Sequence, residues 1–329
     1  MVANALQTED LRIWVATAGG PLLVVDGLDL VVRAGTVHGI AGESGSGKSL
    51  SAQAMIGLLP DDMIREGRIE LDGEDVSAIS KARQREIRGS KIGMVFQDPM
   101  TSLHPMLSIE RQLTEHMRHN LGIDREEARE RAIGLLEEVR IPDPKSALAS
   151  YPHQFSGGMR QRIAIAMALA CEPKVLIADE PTTALDVTVQ AGILRLCRRL
   201  CEERQLAVIL ITHDLGVMSA VADDLTIMYA GRVVESGDTQ QVLTATRHPY
   251  ADQLIKALPK PDEAAGEPLL AIAGDPATPK TRPSGCAFHP RCSHTVANCS
   301  KEIPPLVKVG EGHVVACPVD PLARKGDVA

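Results

Sequence analysis

The stretch Gly42-Glu43-Ser44-Gly45-Ser46-Gly47-Lys48-Ser49 constrains this chain more than any other segment. It follows an apolar run, Val37–Ala41, that reads as a buried strand, and it leads into a helical pattern. A G-x-x-x-x-G-K-S segment in that context is a phosphate cradle. Glycines let successive backbone N–H groups converge on an anion without Cβ clashes, and the helix N-terminus adds a favourable dipole. On this reading Gly42, Ser44, Gly45, Ser46 and Gly47 form the cradle for ATP, and Lys48 reaches its β- and γ-phosphates. Ser49 offers a hydroxyl to Mg²⁺, which keeps waters for most of its octahedron.

A strand, cradle and helix imply an α/β core, and the rest of the chain supplies one. The runs 92–96, Val175–Asp179 and 207–212 read as further core strands, each ending at a polar cluster, and ligands of such sheets lie at the carboxyl ends. The runs 225–230 and 233–235, joined by Gly231-Arg232, read as a hairpin. Between Asp98 and Gln161 the pattern is helical and charged, notably over 124–140, which suggests a helical insertion. Six prolines between Leu258 and Pro283 mark a linker, and the Cys-rich tail beyond it reads as a separate module.

The strand ends carry the chemistry. Asp179 suits a water-mediated contact to Mg²⁺, and the adjacent Glu180 suits the general base that deprotonates an attacking water. Gln97 follows its strand and places a neutral amide near the Mg²⁺ or its water. His213 follows the run 207–212 and is placed to donate to a γ-phosphate. Ser156, Gly157 and Gly158 crown another helix, 162–171, and so form a second anion site. One chain does not need two phosphate sites for one nucleotide, so this one points to ATP held by a partner.

The formal charge of −8 over 329 residues provides no global basic field, which disfavours nucleic acid as a partner. The basic run 81–88 reads as a solvated helix face. No apolar run approaches the roughly 18 residues needed to cross a bilayer, and the first residues lack the apolar core of a secretion signal, so the chain is expected in the cytosol. In that reducing compartment the seven cysteines are expected to be core residues or metal ligands rather than disulfides. Cys171, Cys197 and Cys201 sit in apolar helical stretches. Cys286, Cys292, Cys299 and Cys317, with five, six and seventeen residues between them, make a four-thiolate set that suits zinc or an iron–sulfur centre.

The phosphate loop, Gln97, Ser156-Gly157-Gly158, Asp179-Glu180, Ala184-Leu185-Asp186 and His213, in that order over about the first 240 residues, resemble the ATP-binding subunit of ABC transporters. The resemblance implies a P-loop NTPase fold of ABC type, with a RecA-like core, an antiparallel β subdomain and a helical subdomain at about 98–161, over residues 1–240. It also implies head-to-tail pairing, with Ser156, Gly157 and Gly158 of one subunit covering the ATP of the other and Asp186 in the loop between them. Two departures stand out. The signature reads Phe-Ser-Gly-Gly-Met, and only Trp14 stands where an aromatic residue would stack on adenine.

The stretch 97–103 and the tail Arg282-Pro283-Ser284-Gly285-Cys286 to Pro290-Arg291-Cys292 are similar to the dipeptide/oligopeptide importer subfamily, whose C-terminal region would occupy 241–329. That likeness implies a [4Fe-4S] cluster on Cys286, Cys292, Cys299 and Cys317. It further implies a second ABC ATPase subunit, a paralogue, together with two integral-membrane permeases, an extracytoplasmic substrate-binding protein, and peripheral placement at the cytoplasmic face of the membrane. Import of nickel or another small solute by the same machinery stays open, because substrate choice resides in other subunits. A non-transport ABC ATPase acting on nucleic acid or ribosomes is a rival from another class. It is disfavoured because tandem cassettes, long coiled coils and basic arms are lacking.

Overall fold

A computed structural model describes residues 4–98, 102–183, 185–258 and 272–322. Residues 99–101, Ala184 and most of the proline-rich stretch, all singled out above, lie outside the described residues. Strands β1 (Asn4–Thr17) and β2 (Gly20–Arg33) form a long hairpin, with the later β4 (Met63–Leu71) and β5 (Glu74–Asp75) completing an antiparallel sheet in the order β2-β1-β4-β5. Leu11 and Ile13 on β1 and Leu28, Leu30 and Val32 on β2 are buried at alternating positions, as a one-sided sheet requires. The alternation breaks near Asp10 and Gly27, both at positive φ, where the register shifts.

The larger sheet has the order β11-β12-β10-β9-β3-β8-β7-β6. Its parallel part comprises β3 (Val37–Ala41), β6 (Ile92–Val95), β7 (Val175–Asp179), β8 (Ala207–Ile211) and β9 (Asp224–Tyr229). These strands are apolar at nearly every position because both faces are covered. On β7, Leu176 and Ala178 join the core shared with the helical region, while Val175 and Ile177 join the core shared with the antiparallel sheet.

Helix α1 (Lys48–Met55) follows the phosphate loop, and α2 (Lys81–Ser90) precedes β6. Between β6 and β7 lie α3 (Ile109–Leu121), α4 (Arg125–Glu138), α5 (Pro144–Ala149) and α6 (Gly157–Leu169), which build the expected helical insertion. Asp124 caps α4 by accepting from the N–H groups of Glu126 and Glu127, each at 2.9 Å. Helices α7 (Val187–Arg204) and α8 (Leu215–Val221) flank β8. No helix among the described residues is long and apolar enough to cross a membrane.

The hairpin of β9 with β10 (Arg232–Asp238) turns at Ala230-Gly231, one residue earlier than expected, because both residues take positive φ (47° and 85°) as a two-residue hairpin turn demands. The tail is also not a free-standing module. After α9 (Thr239–Thr244) and α10 (Pro249–Lys256), the chain returns as β11 (Val307–Gly310) and β12 (His313–Val315), and β12 pairs with β10 in the main sheet. The fully buried Glu235 carboxylate fixes this junction, accepting from the N–H groups of Arg247 and His248 (2.9 and 2.8 Å) and lying 2.8 Å from His313 Nε2. A buried carboxylate needs that many partners to offset its desolvation.

Candidate active site

The loop after β3 and the carboxyl ends of β6 and β7 border one cavity of about 380 Å³, and the end of β8 approaches it through His213, 3.4 Å from Glu180. β3 stops at Ala41, and Gly42 turns the chain at a φ of 150°; a Cβ there would lie 2.1 Å from the Met228 carbonyl oxygen, so β9 leaves space for glycine alone. The loop returns into α1, and the Lys48 side chain folds back beneath it. Its Nζ donates to the carbonyl oxygens of Gly42 (2.8 Å) and Glu43 (3.0 Å). Burial lowers the pKa of Lys48, opposed by the charges of Glu180, Asp179 and Glu43. The ammonium is thus held where an anionic ligand with several phosphates would gain most from it.

Ser49 Oγ donates to Asp179 Oδ1 at 3.0 Å. Burial raises the pKa of Asp179, and the Ser49 hydrogen bond and Lys48 pull it back while Glu180 adds to the rise. A buried carboxylate beside a hydroxyl favours a bound cation, and Mg²⁺ takes one or two carboxylates plus substrate phosphates rather than a full protein cage. The residue set fits that ion.

Glu180 has a φ of 46°, a left-handed conformation uncommon outside glycine, and its N–H donates to Ile211 O at 2.8 Å. Its carboxylate accepts from Thr183 Oγ1 (2.8 Å) and Gln97 Nε2 (3.1 Å) and lies 3.4 Å from His213 Nδ1. Gln97 follows β6 and His213 follows β8, so three strand ends meet at one carboxylate. Ser44, Gly45, Gly47, Lys48, Ser49, Gln97 and Glu180 border the cavity.

Other sequence-selected residues lie elsewhere. Ser156 caps α6, accepting from Met159 N–H at 3.3 Å, and Asp186 caps α7, accepting from Val189 N–H at 2.9 Å. The two caps pack together: a Cβ on Gly158 would meet Val189 Cγ1 at 2.4 Å. Ser156, Gly157 and Gly158 do not border the cavity. Nor does Trp14, whose indole N–H donates to Glu66 Oε2 at 3.1 Å on the antiparallel sheet.

The structure adds residues that the motifs do not disclose. Glu43, inside the phosphate loop, is held by Arg291 of the tail through two contacts of 2.8 and 3.1 Å, and its N–H donates to Tyr250 Oη at 2.9 Å. Arg282 donates to Leu23 and Val24 carbonyls (2.9 and 3.3 Å), and Val24 and Pro279 border the cavity. Thr183, which orients Glu180, was detectable only as part of the turn after β7.

The tail cysteines lie within electrostatic reach of one another. All four are free, and burial raises Cys286 to about 11, with Cys299, Cys317 and Cys292 adding to the rise. Cys292 and Cys317 are raised by burial in the same way, with neighbouring thiols contributing to both. Yet among the described residues no group of three or more His, Cys, Asp or Glu side chains is arranged to hold a metal ion. The expected metal set of Cys286, Cys292, Cys299 and Cys317 is therefore not carried by the geometry.

Residues 25–183 match the ABC transporter family, and residues 234–299 match the oligopeptide/dipeptide transporter C-terminal region. The chain is 43% identical to the oligopeptide transport ATP-binding protein OppD of Salmonella typhimurium, across 96% of this chain and 95% of that protein. It is 43% identical to the dipeptide transport ATP-binding protein DppD of Escherichia coli, across 97% and 98%. Among solved structures it is similar to cbiO1 of Clostridium perfringens, part of the ABC transporter complex cbiONQ (30% identity, TM-score 0.62, covering 73% of this chain and 91% of that one). A dimeric bacterial ABC transporter cassette matches with 27% identity and a TM-score of 0.63, covering 71% and 98%. The chain belongs to the ABC-transporter ATP-binding family, in the branch that carries the oligopeptide/dipeptide-transporter C-terminal region.

Proposed function

We propose that this chain is the ATP-hydrolysing subunit of an importer for dipeptides or oligopeptides, acting as one half of a nucleotide-sandwich dimer. The observation that carries the reading is the meeting of Lys48, Ser49, Gln97 and Glu180 around one cavity, with Asp179 bonded to Ser49 and His213 beside Glu180, in a chain of this family. Phosphates of ATP would be held by the loop amides and Lys48, with Ser49, Asp179 and Gln97 as the residues that hold Mg²⁺. The ion supplies charge neutralisation along the phosphates. Glu180, kept in place by Thr183 and Gln97 at Oε2, takes the proton of the attacking water, and His213 faces its other oxygen, Oε1. Ser156, Gly157 and Gly158, away from this cavity, serve the nucleotide of a second ATPase subunit, with Asp186 capping the neighbouring helix.

The transport reading adds two permeases and an extracytoplasmic binding protein, and peripheral placement at the membrane. It rests on the relatives' peptide-transport names and on the shared C-terminal region. Uptake of a labelled dipeptide by cells lacking this chain tests it: the wild-type chain restores uptake and Glu180→Gln does not. Restored nickel uptake without peptide uptake would overturn the substrate class.

For the tail we propose a [4Fe-4S] cluster on Cys286, Cys292, Cys299 and Cys317, acting as a structural clip. Its support is the gathering of four free thiols in a segment with little core of its own. Anaerobically purified protein should contain about four iron and four sulfide per chain. Zinc, or metal-free protein that still binds ATP, would remove the cluster and leave the ATPase reading intact.

A further inference from the structure

Away from the nucleotide cavity, a second concavity of about 420 Å³ opens between α6, α7 and the end of α4. Its walls include Arg140, Arg162, Arg195, Arg198 and Arg199, in a chain whose net charge is −8. Such a concentration of cations does not follow from general basicity. Arg195, Arg198 and Arg199 share one face of α7 at spacings of three and four residues. Arg162 crosses from α6 over Gly192, where a Cβ would stand 3.0 Å from its Nη2, so the glycine makes room for the guanidinium.

The local carboxylates do not balance this charge. Arg198 is neutralised by Glu202 (2.8 Å) and Asp223 (2.7 Å), and Arg199 has a long contact of 3.5 Å to Glu203. Among the described residues Arg162 donates to the Val139 carbonyl alone, at 2.9 Å. Among the described residues Arg140 and Arg195 have no carboxylate within ion-pair distance. Burial and then the charges of Arg140, Arg199 and Arg195 lower the pKa of Arg162, so the neighbouring cations act unfavourably on its guanidinium. A bound anion relieves that repulsion, and planar guanidinium forks match the oxygens of phosphate.

We infer that the arginine-lined concavity between α6 and α7 is a second anion site, separate from the ATP site, that takes a compact phosphate-bearing ligand. Its volume falls in the range of small-molecule sites, about 300–1,000 Å³. Two sources share this chemistry, a free oligophosphate and the phosphate headgroup of an anionic lipid.

Calorimetric titration of inorganic tripolyphosphate into the full chain, with the phosphate loop first saturated with ADP, tests the free form. Co-sedimentation with phosphatidylglycerol vesicles, against phosphatidylcholine, tests the headgroup. The expected result is saturable binding in at least one arm, weakened about ten-fold by Arg195→Gln through loss of one charge-assisted contact. Arg195 is exposed, so this variant is expected to fold, and its ADP affinity should match the wild type. Arg140→Gln, on the opposite wall, should weaken binding in the same arm. Binding of tripolyphosphate alone assigns the site to free oligophosphates, and arginine-dependent vesicle binding alone assigns it to lipid. No binding in either arm, or binding that neither variant weakens, overturns the site.

Discussion

The phosphate loop and the tail touch through Glu43 and Arg291, yet they are held together by different means. The loop is one contiguous run whose shape comes from backbone conformation, helix geometry and a lysine bonded to its own loop carbonyls. The tail has little regular structure and is fixed by long-range side-chain contacts: Arg291 reaches Glu43 across 248 residues, and Arg282 reaches Leu23 across 259. Arg291 also lies over the rings of Tyr229 and Phe288, which pack with Tyr250. The difference teaches that the loop is self-shaped, whereas its outer edge is braced by a distant part of the chain.

Lys48→Ala tests the self-shaped half and carries the largest expected effect. Two charge-assisted hydrogen bonds to phosphate, at roughly 1.5–3 kcal/mol each, correspond to a loss of roughly 10²- to 10⁴-fold in Mg-ATP affinity. Near-normal affinity would mean that the loop is not the phosphate site.

Arg291→Met tests the brace. The Arg291 side chain is 5% exposed and that of Glu43 is 23% exposed, so removing the cation leaves a carboxylate partly stranded in the loop. Because solvent still reaches Glu43, the expected loss is about 3 kcal/mol of unfolding free energy, the low end for a broken buried pair. It should be accompanied by weaker ATP binding. Unchanged stability and ATP affinity would reduce the tail contact to adjacency.

A smaller effect should appear with pH, because each region buries one neutral histidine. Burial lowers His38, in the strand leading to the loop, to about 4, and His248, beside Phe288 of the tail, to about 3. Both lie below the unfolded value of 6.5, so the unfolded chain binds more protons in between. The stabilisation is complete above 6.5 and is lost as pH falls from there toward the folded values. Between pH 7 and pH 6 the two together should cost roughly 1–1.5 kcal/mol in denaturant unfolding. A stability that rises over that interval would contradict the buried neutral state.

The same contrast explains what could be read from the chain. The strand before Gly42, the Asp179-Glu180 end of β7 and the helical insertion were legible because motif and periodicity are local. Ser156 was legible at a helix start for the same reason, whereas Asp186 entered only through the family resemblance and its capping of α7 is a finding of the structure. β1 and β2 were not, since their alternation is interrupted near Asp10 and Gly27 where the register shifts. β12 was hidden because its partner β10 lies far back in the chain and the junction depends on one buried Glu235. Arg291 and Pro279 sit in a proline- and cysteine-rich stretch whose composition suggested separation, while their contacts are with the nucleotide site.

In the proposed function, ATP is hydrolysed at the Glu180 carboxylate, where three strand ends meet. Phosphate release by the full chain at saturating Mg-ATP, wild type beside Glu180→Gln, with bound nucleotide counted in the same samples, tests it most directly. Turnover should be lower by roughly 10²- to 10⁴-fold in Glu180→Gln, with nucleotide binding retained. Equal turnover in the two proteins would contradict it.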